Sequence, residues 1–175
     1  MQVAQLKESN DHALAEVNEE KVKQEDRLMV ILSKGTLDMA YPAFMIAATG
    51  ATMGKEVHMF FTFWGMDAIT TKRSAKLKVS AVGNPGLPMP NILGMIPGMT
   101  SIATRMMKGK IGKANVPSIP EMLKTVKDLG VKLHGCSTTL EVMGTKREEL
   151  LPEVDDIVGA ATMLELGQGG QIVFI

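Results

Sequence analysis

The sequence has very little cysteine: Cys136 is the only one among 175 residues. A single thiol cannot close an internal disulfide, so the fold does not depend on oxidation, and a reducing cytoplasm is the expected compartment. A thioredoxin-type redox centre needs two cysteines, and a metal site needs clustered cysteine and histidine ligands, so both are excluded. We therefore predict no disulfide, no metal and no cofactor.

Aromatic residues are also scarce, at 4 % of the chain, and neither sign of charge is in excess, because 19 basic residues balance 19 acidic ones. Proteins that bind nucleic acid gain affinity from excess positive charge, and single-strand binders add aromatic side chains on which bases stack. The basic stretch TTKRSAKLK, residues 70–78, contains no aromatic residue. It predicts a surface for an acidic partner protein rather than for nucleic acid.

Charged side chains are absent from residues 79–104. This stretch is as long as a membrane span, but Pro85, Pro88, Pro90 and Pro97 interrupt any continuous helix, so we predict that it does not span. We predict instead an apolar insertion at residues 83–117, rich in Met, Pro and Gly. It is interpreted as an oligomer interface, as a lid over the cysteine, or as a surface for a partner or, through residues 83–113, for the periphery of a membrane.

Short apolar runs alternate with helical patterns after residue 26. This alternation predicts an α/β fold, a three-layer α/β/α sandwich with a mostly parallel sheet of about five strands. Residues 1–26 are polar and charge-dense, lack the apolar segment of a signal peptide, and predict a solvated helix or arm before a single domain at 27–175. The predicted strands are 27–33, 55–63, 76–82, 131–136, a short piece before residue 160, and 171–175; the predicted helices follow residues 36, 118, 137, 145 and 159.

Ligands of parallel α/β sheets gather at the carboxyl ends of the strands, which directs attention to the loops 34–37, 63–70 and 135–139. Cys136 lies in the last of these, between a predicted strand and a predicted helix. Gly135 leaves room beside the thiol, and the free amides of Ser137, Thr138 and Thr139 at the helix start favour a thiolate. The simpler interpretation is that Cys136 is a small buried hydrophobic residue.

His134 precedes the cysteine by two residues, so both side chains point to the same face of an extended strand. It could help to ionise the thiol, but it is poorly placed to shuttle protons. A thiol with neither a base nor a second thiol suits the carrying of a group and its transfer onward.

Five segments resemble the DsrE/DsrF-like family of small sulfur-trafficking proteins, in particular its subgroup with a long apolar insertion. The resemblance covers residues 27–175 and implies a parallel α/β sandwich, homo- or hetero-oligomers, and rhodanese-like or TusA-like partner proteins. It also implies that Cys136 is the cysteine that accepts sulfur as a persulfide. Some members of the subgroup carry a further cysteine, which this chain lacks. The segments are FFTFWGMD (60–67), KLKVSAVGNPGLPMP (76–90), HGCSTTLEVMG (134–144), KREEL (146–150) and IVGAATMLEL (157–166).

Two hypotheses follow. In the first, the protein is an intracellular sulfur carrier of the sulfurtransferase type: Cys136 takes up sulfane sulfur and passes it to an acceptor thiol, in a pocket walled by Trp64, Gly65 and the loop containing Gly35. In the second, it is a non-catalytic oligomeric scaffold that binds a partner protein or membrane surface through its Met-rich insertion, and Cys136 is only packed.

Overall fold

The computed structural model describes residues 26–80 and 98–175. Five strands form one sheet in the order β4-β3-β2-β1-β5, and every neighbouring pair is parallel. The continuous apolar runs explain the central strands, since five of the six residues of each of the first two strands are buried. The strands are β1 (Arg27–Leu32), β2 (Glu56–Phe61), β3 (Lys132–Cys136), β4 (Asp156–Val158) and β5 (Gln171–Phe174).

Within the described residues, five α-helices connect or follow these strands: α1 (Leu37–Thr52), α2 (Met99–Lys113), α3 (Ile119–Asp128), α4 (Ser137–Met143) and α5 (Ala160–Leu166). The same part of the chain has 3-10 turns at Phe63–Ile69, Ser74–Lys76 and Arg147–Glu149. The start of α3 follows its sequence signal, because the backbone amide and hydroxyl of Ser118 both donate to the carboxylate of Glu121, each at 2.7 Å.

The connections place the helices in two layers. The chain steps from β1 to β4 in one direction and then returns through α5 to the opposite edge, so right-handed crossovers put α5 on the other face of the sheet. Packing agrees: α1, α3 and α4 contribute to the larger core, whereas Met163 and Leu166 of α5 pack against a smaller cluster that contains Phe60 and Cys136. The three-layer α/β/α sandwich is confirmed.

The prediction of a strand at 76–82 is wrong for the described part of that stretch. Lys76 ends a 3-10 turn, and Lys78 makes only an isolated bridge with Thr36. Leu77 and Val79 are buried while Lys78 is exposed, so the alternating pattern reflects a chain that lies on the core without a partner strand.

Two predictions fall partly or wholly on residues that the structure does not describe. Residues 1–25 of the predicted N-terminal helix or arm lie outside the described part, as do residues 83–97 of the predicted insertion. The later half of the insertion forms α2, which buries Ala103 and Thr104. Within residues 26–80 and 98–175, no helix is both long enough and apolar enough to cross a membrane.

The loops after β1 and β2 approach each other at two glycines. The amide of Gly65 donates to the carbonyl of Ser33 at 3.1 Å. A side chain at Gly65 would meet the backbone carbonyl of Leu32, and one at Gly35 would meet the carbonyl of Trp64. Backbone atoms cannot move aside as a flexible side chain can, so the absence of side chains at these two positions permits the contact.

Gly65→Ala should therefore destabilise the protein, by more than about 2 kcal/mol, because the new methyl group would overlap the Leu32 carbonyl. The measurement is urea unfolding. Gly109→Ala is the matched control: this helical glycine has no neighbouring atom within reach of an added methyl group, so alanine should raise stability by about 0.5–1 kcal/mol. Equal stability of the two variants would contradict the close contact between Gly65 and the Leu32 carbonyl.

Candidate functional site

The carboxyl ends of the three central strands lie side by side. Leu32 is in register with Phe61, and Phe61 with Gly135, so the loops that follow β1, β2 and β3 meet at one edge of the sheet. The predicted wall residues Gly35, Trp64 and Gly65 are at this edge. Trp64 turns its backbone toward Gly35, and 61 % of the residue is exposed to solvent.

Cys136 is the last residue of β3 and the N-cap of α4. It is 6 % exposed. Burial raises the pKa of its thiol, but hydrogen bonds from the hydroxyl and amide of Thr139, the hydroxyl of Thr62 and the amide of Thr138 lower it, and the net shift of the pKa is downward. The arrangement therefore favours a thiolate, although the sulfur is largely covered.

A second layer of contacts orients the threonine hydroxyls. The amide of Phe63 donates to Oγ1 of Thr139 at 3.0 Å, and Oγ1 of Thr62 lies 3.2 Å from the same oxygen. Because Thr139 Oγ1 accepts from Phe63, its single proton remains available to the sulfur or to Thr62. Phe63 adopts a positive φ of 45°, which is rare for a residue with a large side chain, and this backbone conformation accompanies its hydrogen bond to Thr139.

The other predicted site residues near the thiol divide into two groups. Thr138 and Thr139 act on the sulfur as described, and Ser137 is half-buried with its hydroxyl near Gly159. Gly135 faces the opposite side of the sheet: a side chain there would contact the ends of Met66, Leu150 and Leu140 in the larger core. The space at Gly135 therefore belongs to the core and gives no access to the sulfur.

Thr62 was missed by the sequence analysis. The predicted strand 55–63 placed this residue inside the sheet, whereas β2 ends at Phe61 and leaves Thr62 at the carboxyl edge. The signal that could have found it is the threonine itself: a polar residue at the end of a continuous apolar run marks the point where a strand leaves the core.

His134 forms part of a buried histidine pair. Its Nε2 lies 2.9 Å from Nδ1 of His58, the rings stack at 5.2 Å, and both residues are at least 95 % buried. Nε2 of His58 lies 3.3 Å from Glu56. A carboxylate only accepts, so His58 donates to Glu56 through Nε2, and one proton is shared between Nδ1 of His58 and Nε2 of His134.

Nδ1 of His134 is the far end of this pair. The atom is buried, has no hydrogen-bond partner, and lies 3.6 Å from Oδ2 of Asp156. Burial and the neighbouring His58 lower the pKa of His134, while Asp156 and Asp155 act in the opposite direction. His134 is therefore neutral at physiological pH, and its suggested assistance to the Cys136 thiol stays a prediction.

Within the described residues, no group of three or more His, Cys, Asp or Glu side chains is arranged to hold a metal ion. The chemistry available at the carboxyl edge is that of a hydrogen-bonded thiolate.

Residues 24–175 match the model of the DsrE/DsrF/DrsH-like family. The chain belongs to this family. Among its relatives is the sulfur carrier protein DsrE2 of Allochromatium vinosum, which is 37 % identical over 150 residues, covering 81 % of this chain and 92 % of the relative. The uncharacterized protein YrkE of Bacillus subtilis strain 168 is 29 % identical over 165 residues, covering 87 % and 99 % of the two chains.

The fold described above is also found in a solved structure, that of the ychN protein from E. coli. The two chains superpose with a TM-score of 0.50, covering 85 % of this chain and 99 % of the other, at 11 % sequence identity. At that identity the likeness concerns the fold alone.

Thr139→Val should raise the pKa of Cys136, because it removes a hydroxyl that hydrogen-bonds the sulfur. Since the thiolate is the reactive form, the rate of alkylation by iodoacetamide should fall severalfold near neutral pH, and its pH profile should shift upward.

The matched control is Thr138→Val. Thr138 acts on the sulfur through its backbone amide, so removal of its exposed hydroxyl should leave the profile unchanged. Thr139→Ser, which keeps a hydroxyl, should restore the wild-type profile. A profile that Thr139→Val does not shift would contradict the role assigned to that hydroxyl.

Asp156→Asn should lower the pKa of His134 further, because it removes a carboxylate that favours the charged imidazole. NMR titration of the imidazole signals measures this, with Glu141→Gln, an exposed carboxylate on α4, as control. Because the folded-state pKa of His134 lies below the unfolded one, the wild-type protein should also lose stability as pH falls below about 6.5, the ordinary pKa of histidine, toward the lower folded-state pKa. A His134 titration that Asp156→Asn leaves in place would contradict the contact.

Proposed function

We propose that this protein is a sulfur carrier in which Cys136 accepts sulfane sulfur as a persulfide and passes it to an acceptor thiol. The observation that carries the proposal is the set of donors around the single sulfur atom, supplied by Thr62, Thr138 and Thr139. The kinship with a protein named a sulfur carrier, at 37 % identity over most of both chains, supports the same function.

The proposed step is thiol exchange and needs no cofactor. The Cys136 thiolate attacks the outer sulfur of a donor persulfide, R–S–SH. A bond forms between Sγ of Cys136 and that sulfur, the S–S bond of the donor breaks, and the donor leaves as R–S⁻ with the electron pair of the broken bond. Delivery is the same exchange in reverse, with an acceptor thiolate attacking the outer sulfur. No net oxidation occurs, because the sulfane sulfur only changes its partner.

The donors around the sulfur serve both states of the cycle. Threonine hydroxyls and the amides at the start of α4 stabilise negative charge on Cys136 before attack and when it departs as the leaving group. The chain has no other cysteine, so each transfer requires a thiol from another molecule. We propose that donor and acceptor are proteins, of the rhodanese-like and TusA-like kinds that the sequence resemblance suggests.

The proposed homo-oligomer is supported by edge strand β5. Ile172 pairs with Met29 and Phe174 with Ile31, so these side chains extend the apolar row of the smaller cluster, yet they are 47 % and 69 % exposed. Apolar side chains exposed in this way suit a contact between copies. Location in the cytoplasm stays a prediction.

Incubation with a small persulfide donor should add the mass of one sulfur atom to the native protein, measured by intact-mass spectrometry. Cys136→Ser should gain nothing, and a thiol added later should remove the extra sulfur from the wild type. Equal gain by Cys136→Ser, or no gain by the wild type, would refute the persulfide assignment.

The burial of Cys136 is the observation that favours the alternative scaffold function, in which the thiol is only packed. Native-state alkylation separates the two. A sulfur carrier should react with iodoacetamide when folded, at near-neutral pH, whereas a packed thiol should react only in the presence of urea.

A further inference from the structure

Although the total charge is balanced, the acidic and basic residues are unevenly distributed along the chain. Residues 68–120 contain no acidic side chain, although they carry 8 of the 19 basic ones. All 19 acidic side chains lie outside this segment. A surface built from it alone is therefore positively charged, whatever the net charge of the whole protein.

The fold gathers four of these basic residues around one junction. Nζ of Lys108 in α2 donates to the carbonyl of Ala75 at 3.0 Å, and the amide of Val79 donates to Oγ1 of Thr104 at 3.2 Å. These two contacts hold the chain at 75–79 against α2. The neighbouring cations are all exposed and form what we call the basic face: Lys76, Lys78, Arg105 and Lys108.

The cations of the basic face have no ion-pair partner among the described residues, although the Asp38 carboxylate lies nearby and accepts from the amide of Ser80 at 2.9 Å. Within the part of the chain that the structure describes, no carboxylate lies within ion-pair distance of its four cations. The preceding cations differ, because Arg73 pairs with Asp67 at 2.7 Å and Lys72 with Glu149 at 2.9 Å. Like charges held close together repel, so the face gains most from an anionic partner.

An apolar cavity adjoins the basic face. It has a volume of about 300 Å³, and Lys108 and Ala75 stand at its border. Its apolar lining comes from α1, α2, the link after α2 and the start of α3, and it includes Leu37, Tyr41, Ile111, Val116 and Ile119. A cavity of this size accepts one large apolar side chain, and Lys108 supplies positive charge on one side of it. The carboxylate of Glu121, held by Ser118, lies at another border, so the partner's anionic groups are expected on the Lys108 side.

The basic face lies toward the edge of the sheet that carries Cys136. The carbonyl of Lys78 accepts a hydrogen bond from the amide of Leu37 at 2.8 Å, and Lys78 bridges Thr36, in the loop that follows β1. The same loop contacts Trp64 through Gly35. A protein bound to the basic face thus adjoins the loop after β1 at the carboxyl edge, and it reaches the sulfur from the side of the larger core, since Cys136 belongs to the smaller cluster on the other face.

We propose that the basic face and its cavity bind an acidic segment of the partner protein that exchanges sulfur with Cys136, with an apolar side chain of that segment in the cavity. The identity of the partner as a sulfur donor or acceptor rests on the function proposed above; the binding does not. A protein segment fits better than nucleic acid, because the face has no exposed aromatic residue for stacking. It also fits better than a lipid headgroup, because it fills the pocket as well as meeting the charge.

The experiment measures fluorescence anisotropy of a labelled twelve-residue peptide of glutamates around a single leucine. A peptide with glutamine in place of every glutamate is the matched control. The acidic peptide should bind at least about tenfold more tightly at low salt, and most of this difference should vanish at about 0.5 M salt. Lys76→Gln/Arg105→Gln should weaken binding of the acidic peptide about fivefold.

Lys55→Gln/Lys132→Gln is the control variant, since it removes the same charge at the amino ends of β2 and β3. It should leave binding unchanged. Equal loss in both double variants, or equal binding of the two peptides, would overturn the proposal. So would tighter binding of anionic phosphatidylglycerol vesicles or of a single-stranded oligonucleotide that depends on Lys76 and Arg105.

Sulfur loading of the same variants separates this inference from the proposed function. Lys76→Gln/Arg105→Gln should load from a small persulfide donor as the wild type does, because neither residue contacts Cys136. Normal loading without peptide binding would overturn the basic face alone, and peptide binding without loading would overturn the sulfur carrier alone.

Discussion

The chemistry of this protein depends on the hydrogen bonds that the sulfur of Cys136 accepts. The thiol of Cys136 is covered by protein, and burial by itself would keep it neutral. Donors from the start of α4 and from the loop after β2 reverse that effect. They can do so only because β2 and β3 are adjacent and parallel, so that both strands release their loops at the same edge. The lowered pKa of the thiol thus depends on the order and direction of the strands.

The two proposed activities, sulfur transfer and partner binding, depend on different interactions. The reactivity of the sulfur depends on a few short-range, directional hydrogen bonds, whereas partner binding depends on longer-range positive charge and one apolar pocket. Because of this division, association with the partner can be fast and salt-sensitive, while the rate of sulfur transfer depends on the geometry around Cys136. Burial lowers the pKa of His134, so this imidazole adds no positive charge on the face of the sheet that carries the sulfur.

The features that the sequence predicted correctly are local ones. A buried strand that runs into a helix start places Cys136 and the amides of α4 within a few residues of each other, and the α/β alternation predicts the layers. The features it missed come from distant residues. Thr62 and Thr139 are 77 positions apart, and the pairing of His58 with His134 spans 76. The error in the strand predicted at 76–82, over its described residues 76–80, has the same origin: alternation indicates burial on one side, and it does not indicate whether a partner strand exists.

The distance between Thr62 and Thr139 along the chain also bears on biosynthesis. While the polypeptide is still emerging from the ribosome, β2 is complete long before residue 139 exists, and the two hydroxyls have not met. Cys136 is added only three residues before Thr139, so until both have folded against Thr62 it is an ordinary thiol, mostly protonated and slow to react with oxidants. Its acidity is acquired with the tertiary structure, so the unfolded chain carries a thiol of low reactivity.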